Sequence, residues 1–121
     1  DGLFQSGGMS GVNMSMTTLA TSDGLGLPEK IELVGNFPNP FNPYTTIKYE
    51  LPHDADVSLV VYNLLGEVVQ VLVSSDIPSG RHGIVWNGES ISNSAVPSGI
   101  YIYQLTVDGV VSGSKKMVLV K

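Results

Sequence analysis

The sequence predicts an all-β fold: one antiparallel sandwich of about seven short strands, with an extended segment in front of it. Three observations carry this. From Lys30 onward, apolar residues recur at period two in one short segment after another. Turn-forming pairs and triplets (Pro-Ser-Gly, Asn-Gly, Asp-Gly) separate those segments at regular spacing. No stretch sustains a helical period with capping residues at its ends.

The first clear strand runs through Thr45, Ile47, Tyr49 and Leu51, which alternate with Thr46, Lys48 and Glu50 to give one apolar and one polar face. Val57, Leu59 and Val61 form the apolar face of the second. "NLLG" (63–66) turns the chain into "EVVQVLV", whose apolar residues occupy both parities and predict a bulge or burial on both faces. "PSG" (78–80) turns it again, after which His82, Ile84 and Trp86 share a face up to the turn at Asn87-Gly88. The polar loop "ESISNSAVPSG" leads to "IYIYQLTV", with Tyr101, Tyr103, Leu105 and Val107 on one side. Asp108-Gly109 is a hairpin signal, and "GSKKMVLVK" is the last strand. The predicted core is Ile47, Tyr49, Leu59, Val61, Trp86, Tyr103, Leu105 and Leu119. Strands of this number and spacing read as an immunoglobulin-like sandwich over residues 30–121.

Ahead of the first strand stands "NFPNPFNP". Each proline fixes φ near about −65° and restricts the residue before it, so three X-Pro steps make a stiff lead-in to the sheet. Proline also lacks an N–H, so the stretch blunts an edge that would otherwise pair. Phe37 and Phe41 are expected to plug the end of the sandwich.

Residues 1–29 differ in composition. They are rich in Gly, Ser and Met, and no positive charge occurs before Pro28. Such sequence serves as a linker. Yet "VNMSMTTLAT" places Val12, Met14 and Met16 at period two, followed by Leu19, which suits an extended strand docking on a sheet edge of its own domain or of a neighbouring copy. The start "DGLFQSGG", with no initiator Met and no basic region, reads as a processed end whose signal peptide is gone.

Charged residues are 14% of the chain, well below the usual level of about a quarter, and the net charge is −5. Apart from Lys115-Lys116 the cations are scattered, which speaks against nucleic acid as a partner. With no cysteine there is neither a disulfide nor a thiolate metal site. No apolar run reaches the length of a membrane span.

Catalysis has little to stand on. His82 falls on the Ile84/Trp86 face and reads as a half-buried core imidazole, while "HDAD" (53–56) lacks the ligand number and spacing of a calcium loop. No nucleophile elbow appears, and neither "GEVVQ" nor "GLGL" lies between a strand and a helix, as a phosphate loop must. The sequon Asn13-Met14-Ser15 reads as chance. Tyr101 and Tyr103 could stack on sugar, though their place beside Leu105 reads first as core. No catalytic, cofactor or metal residue is assigned.

The blocks "NFPNPFNPYTTIKYELP", "VSLVVYNLLGEVVQVLV", "GRHGIVWNG", "PSGIYIYQLTVDG" and "KKMVLVK", in that order from about Glu32 to Lys121, resemble the type IX secretion C-terminal sorting domain. They resemble equally the related Ig-like domain of flagellar hook-capping proteins. The loop "NGESISNSAVPSG" departs from that pattern, which carries an acidic turn there, so no calcium site is carried over. The resemblance implies a secreted, non-catalytic module at the cell surface, recognised by export or surface-attachment machinery. From the residues themselves, the candidates for recognition or entry are Pro38, Asn39, Pro40, Phe41, Asn42 and Pro43, which read first as a structural lead-in and second as a receptor contact, and Lys115, Lys116 and Lys121, which read first as solvated strand-edge lysines and second as a recognised C-terminal patch. The alternatives are a self-assembling filament or surface-layer subunit that binds copies of itself, and a carbohydrate-binding sandwich.

Overall fold

A computed structural model describes residues 26–121, so the docking strand expected at Val12, Met14, Met16 and Leu19 lies outside the described residues. The described residues form seven strands and no helix: β1 (Glu32–Phe37), β2 (Thr45–Leu51), β3 (Ala55–Tyr62), β4 (Val68–Ile77), β5 (Gly80–Trp86), β6 (Gly99–Val107) and β7 (Val110–Leu119). They make two antiparallel sheets, β1-β2-β5 and β4-β3-β6-β7, packed face to face. This is the immunoglobulin-like sandwich that the alternation predicts.

The core is what period two dictates. In β2 the inward side chains Thr45, Ile47, Tyr49 and Leu51 are all buried. Val57, Leu59 and Val61 of β3 meet them from the other sheet, with Tyr101, Tyr103, Leu105 and Val107 of β6 and Met117 and Leu119 of β7. Every residue of the predicted core is buried. Trp86 closes one end, 5.7 Å from the Phe41 ring and 5.5 Å edge-on to the Tyr101 ring. Its indole N–H reaches the Glu89 carbonyl at 2.9 Å, so the polar end of the largest core side chain is satisfied.

The mixed parity of β4 has a plain cause. Its register with β3 slips between Leu59 and Val60 and again between Val61 and Tyr62, so β4 carries a bulge at each place. The bulges turn Val69 inward, where it is buried, and leave Val68 and Val71 exposed.

The turns follow their residues. Asn63 Oδ1 accepts from the backbone N–H groups of Leu65 and Glu67, at 2.9 and 3.0 Å, and holds the "NLLG" turn. Asp108 and Gly109 both take positive φ, 51° and 81°, which is the two-residue turn that matches strand twist. Gly109→Ala is expected to cost about 1 kcal/mol, the penalty for a Cβ in left-handed backbone, read as a lowered urea midpoint with unchanged slope.

Candidate recognition site

The proline-rich lead-in leaves β1 in one sheet, reaches across to the free edge of β7 in the other, and returns to β2. Its X-Pro bonds at Pro38, Pro40 and Pro43 are cis. Phe41 makes a single parallel bridge with Leu119: its N–H donates to Val118 O and its carbonyl accepts from Val120 N–H, both at 2.9 Å. The Asn39 side chain extends the same contact. Its Oδ1 accepts from Val118 N–H at 3.0 Å, and its Nδ2 donates to Lys116 O at 3.5 Å. The prolines on either side have no N–H and cannot prolong the pairing. The stretch therefore covers an edge as well as blunting one.

A buried polar network fixes where the loop departs. Asn36, inside β1 and only 5% exposed, donates through Nδ2 to Thr45 Oγ1 at 3.2 Å and to Pro38 O at 3.3 Å. Thr45 Oγ1 donates to Pro38 O at 2.9 Å, and the Tyr103 hydroxyl donates to Asn36 Oδ1 at 3.1 Å. One core tyrosine thus reaches, through one asparagine, the first residue of the loop. Sequence reading missed Asn36. The available signal was an amide in mid-strand, where Asn is depleted unless its side chain has a partner.

Burial pushes the Tyr103 phenol from its ordinary 10.0 up to about 12, and raises Tyr49 and Tyr101 as well. The fold holds neutral Tyr103, so its contribution is complete below pH 10.0 and falls away as pH rises to about 12. A shift of about two units corresponds to roughly 2–3 kcal/mol. Stability measured against pH should fall over that window, and Tyr103→Phe should flatten the fall.

The structure sorts the predicted site residues. Phe41 is 2% exposed and anchors the loop, so it is unavailable to a partner. Pro38, Asn39, Pro40, Asn42 and Pro43 are exposed around it. Asn39, Lys115 and Lys116 come together in one open cleft of about 400 Å³, with Asn36, Phe37 and Tyr103 among its walls. Lys121 lies elsewhere, its backbone N–H donating to Ser98 Oγ at 3.1 Å. Phe37 is not the plug expected of it. It is 51% exposed, with Lys48 Nζ 5.5 Å from its ring centre, because β1 turns that side chain outward while Phe41 takes the interior position. Tyr101 and Tyr103, at 5% and 0% exposed, present no face to a sugar. The carbohydrate reading loses its residues.

The end of the sandwich that holds this loop also carries the β3–β4 turn, with Leu64 and Leu65 exposed at 64% and 84%, and the loop from Gly88 to Ser98. Away from that end, His82 and Asp54 both have structural partners. His82 stacks on Tyr49 with ring centres 5.3 Å apart, its Nε2–H donating to Pro78 O at 2.7 Å, and Asp54 Oδ1 accepts from Ser79 N–H at 2.9 Å. Among the described residues no group of three or more His, Cys, Asp or Glu side chains is placed to hold a metal ion.

A family model described as the FlgD Ig-like domain matches residues 42–110. Among solved structures, dimeric latent PorU from Porphyromonas gingivalis is similar at 22% identity and a TM-score of 0.62, over 82% of this chain and 10% of that one. The Pseudomonas fluorescens DNA glycosylase AlkC follows at 15% and 0.52, over 76% of this chain and 30% of that one. PorZ, described as an essential surface component of the type IX secretion system of Porphyromonas gingivalis, is similar at 17% and 0.51, over 83% of this chain and 13% of that one. At such identities the likeness is one of fold, and the chain spans only a minor part of each of these proteins. A comparison with curated proteins finds no match.

Proposed function

We propose, because the chain belongs to the FlgD Ig-like domain family, that it is a non-catalytic module working through protein–protein contacts, and that its task is type IX sorting and attachment at the cell surface. The observation that carries this reading is the clasped loop. Phe41 and Asn39 tie a rigid, exposed run of Pro and Asn to the last strand of the domain, beside Lys115 and Lys116. A surface whose backbone is already fixed loses little entropy when a receptor binds it. The same fold in PorZ, itself a surface component of that secretion system, supports the setting.

The test is export. The 121-residue chain is fused behind a secreted reporter in a type IX-competent bacterium. The reporter is expected at the surface or in the medium only when the domain is present. Lys115→Glu with Lys116→Glu, and separately Asn42→Ala with Pro43→Ala, should lower export several-fold while leaving the melting temperature within a few degrees. A reporter that stays periplasmic with and without the domain removes the sorting reading.

A further inference from the structure

The flank where β1 and β7 lie side by side is closed at two points and open between them. At one, Gly113 of β7 meets Leu33 of β1 so closely that a Cβ on the glycine would stand 3.1 Å from the leucine Cβ. At the other, Asn39 and Phe41 clasp β7 at Val118 and Val120. The cleft shared by Asn39, Lys115 and Lys116 lies between. Among the described residues no backbone hydrogen bond joins β1 to β7 across it.

Lys115 stands where an apolar residue is expected. Its register partner is Tyr103, which is fully buried, and Met117 two residues on is buried as well, so Lys115 occupies the side of β7 that faces the other sheet. It is nevertheless exposed, because the flank is open at that point. Lys116 projects to the opposite face, level with Ile102. Among the described residues neither lysine has a carboxylate within ion-pair distance. A lysine on an edge strand deters pairing with any strand that brings it no counter-charge. The same lysine admits a strand that does, which makes the edge selective rather than closed.

The β7 backbone supplies the other half of the site. Val118 N–H and C=O both point to the free edge, as their bonds to Asn39 and Phe41 show, and Lys116 O points the same way. Alternate residues of a strand share that direction, so Ser114 presents its N–H and C=O there, and Lys116 its N–H. Of these groups the lead-in reaches only Lys116 O, through Asn39 Nδ2 at 3.5 Å, and Pro38 and Pro40 have no N–H with which to extend the contact. A peptide main chain matches donors and acceptors in this alternation, whereas a small inorganic anion matches the donors alone.

We infer that the β7 edge from Ser114 to Lys116 binds an extended acidic segment of a partner protein, its main chain paired with Ser114 and Lys116 and two neighbouring carboxylates set one on Lys115 and one on Lys116. Successive side chains of a strand point to opposite faces, so an adjacent pair of acids matches an adjacent pair of lysines. The inference rests on the protein-contact reading of this cleft and gives that contact its chemistry.

The test titrates the full chain, by fluorescence anisotropy, into a labelled, end-blocked peptide of sequence Thr-Val-Asp-Glu-Val-Thr. Its companions are a twin with Asn-Gln in place of Asp-Glu, a twin with Lys-Lys there, and two forms with alternate main-chain amides N-methylated, one in each phase. The acidic peptide should bind at least tenfold more tightly than either twin, and at least one N-methylated form should lose that binding. Lys115→Gln with Lys116→Gln should erase the preference while leaving the melting temperature within a few degrees, since both side chains are exposed. No binding or equal binding of the twins overturns the inference. Indifference to N-methylation in both phases overturns it too, by reducing the edge to an anion patch. A measurement without substitution guards against a misfolded variant. In the unmodified chain, saturating peptide should slow hydrogen exchange at the Ser114 and Lys116 amides several-fold, and unchanged exchange overturns the inference equally. Failure of the peptide beside an export defect in the lysine variants removes the acidic segment and leaves the sorting reading standing. Peptide binding by a domain that makes no difference to export does the reverse.

Discussion

Phe41→Ala is expected to destabilise the domain by about 3–5 kcal/mol, the range for removing a fully buried aromatic side chain and leaving its cavity. Phe41 is 2% exposed and packs against Trp86, which in turn packs against Tyr101, so the void would open inside an aromatic stack that cannot collapse without moving all three. The loss does not stop at the ring. The bridge from Phe41 to Val118 and Val120 is held in place by that burial, and without it the lead-in has only Asn39 to keep it on β7. A domain of this size loses about 4–8 °C of melting temperature per kcal/mol, so a fall of more than 10 °C is expected by calorimetry. Pro40→Ala, next door but exposed, should change stability by well under 1 kcal/mol. The contrast separates two roles for one motif. If Phe41 served mainly as a receptor contact, Phe41→Ala would melt near the parent temperature and fail only in export, and the anchor assignment would be lost.

Much of the fold is legible in the sequence, and the illegible part has physical causes. β2, β3 and β6 show clean alternation because each has one face in the core, so their inward residues follow from period two alone. β1 gives no such signal. Its register shifts between Leu33 and Gly35, and that bulge puts Leu33 and Asn36 inward out of strict alternation. The bulges of β4 show in the sequence in kind but not in place. At the site, sequence offers Phe37 and Phe41 as equals, each beside a proline. Which one enters the core depends on the loop's path over β7, and that path is set by Asn39 bonding a strand 77 to 79 residues away. The cleft shared by Asn39, Lys115 and Lys116 is long-range for the same reason, while the stiffness of the loop is local and can be read from its prolines.

Asn36→Ala should cost about 3 kcal/mol, although it removes a side chain smaller than most of the core. The substitution leaves the Tyr103 hydroxyl without its acceptor and Thr45 Oγ1 without its donor, both inside the sandwich, and takes from Pro38 O one of its two donors. A buried polar group left unpaired costs about 1–3 kcal/mol, against about 1 kcal/mol for a hydrogen bond exchanged with water. Tyr103→Phe is milder, about 1–2 kcal/mol, since it orphans only Asn36 Oδ1 while the Asn36 amide keeps both of its acceptors. The double variant Asn36→Ala with Tyr103→Phe should cost less than the sum of the two by about 1 kcal/mol or more. Once Asn36 is gone, removing the stranded hydroxyl relieves a penalty and adds none. Urea unfolding of the four proteins closes the cycle, and strict additivity would show that Asn36 and Tyr103 are not coupled. The loop reports on the same network. Pro38 O is the point where Asn36 and Thr45 both hold the chain as it leaves β1, so Asn36→Ala should also speed hydrogen exchange at Phe41 N–H and Val120 N–H, whereas Tyr103→Phe, which leaves both bonds to Pro38 O intact, should not.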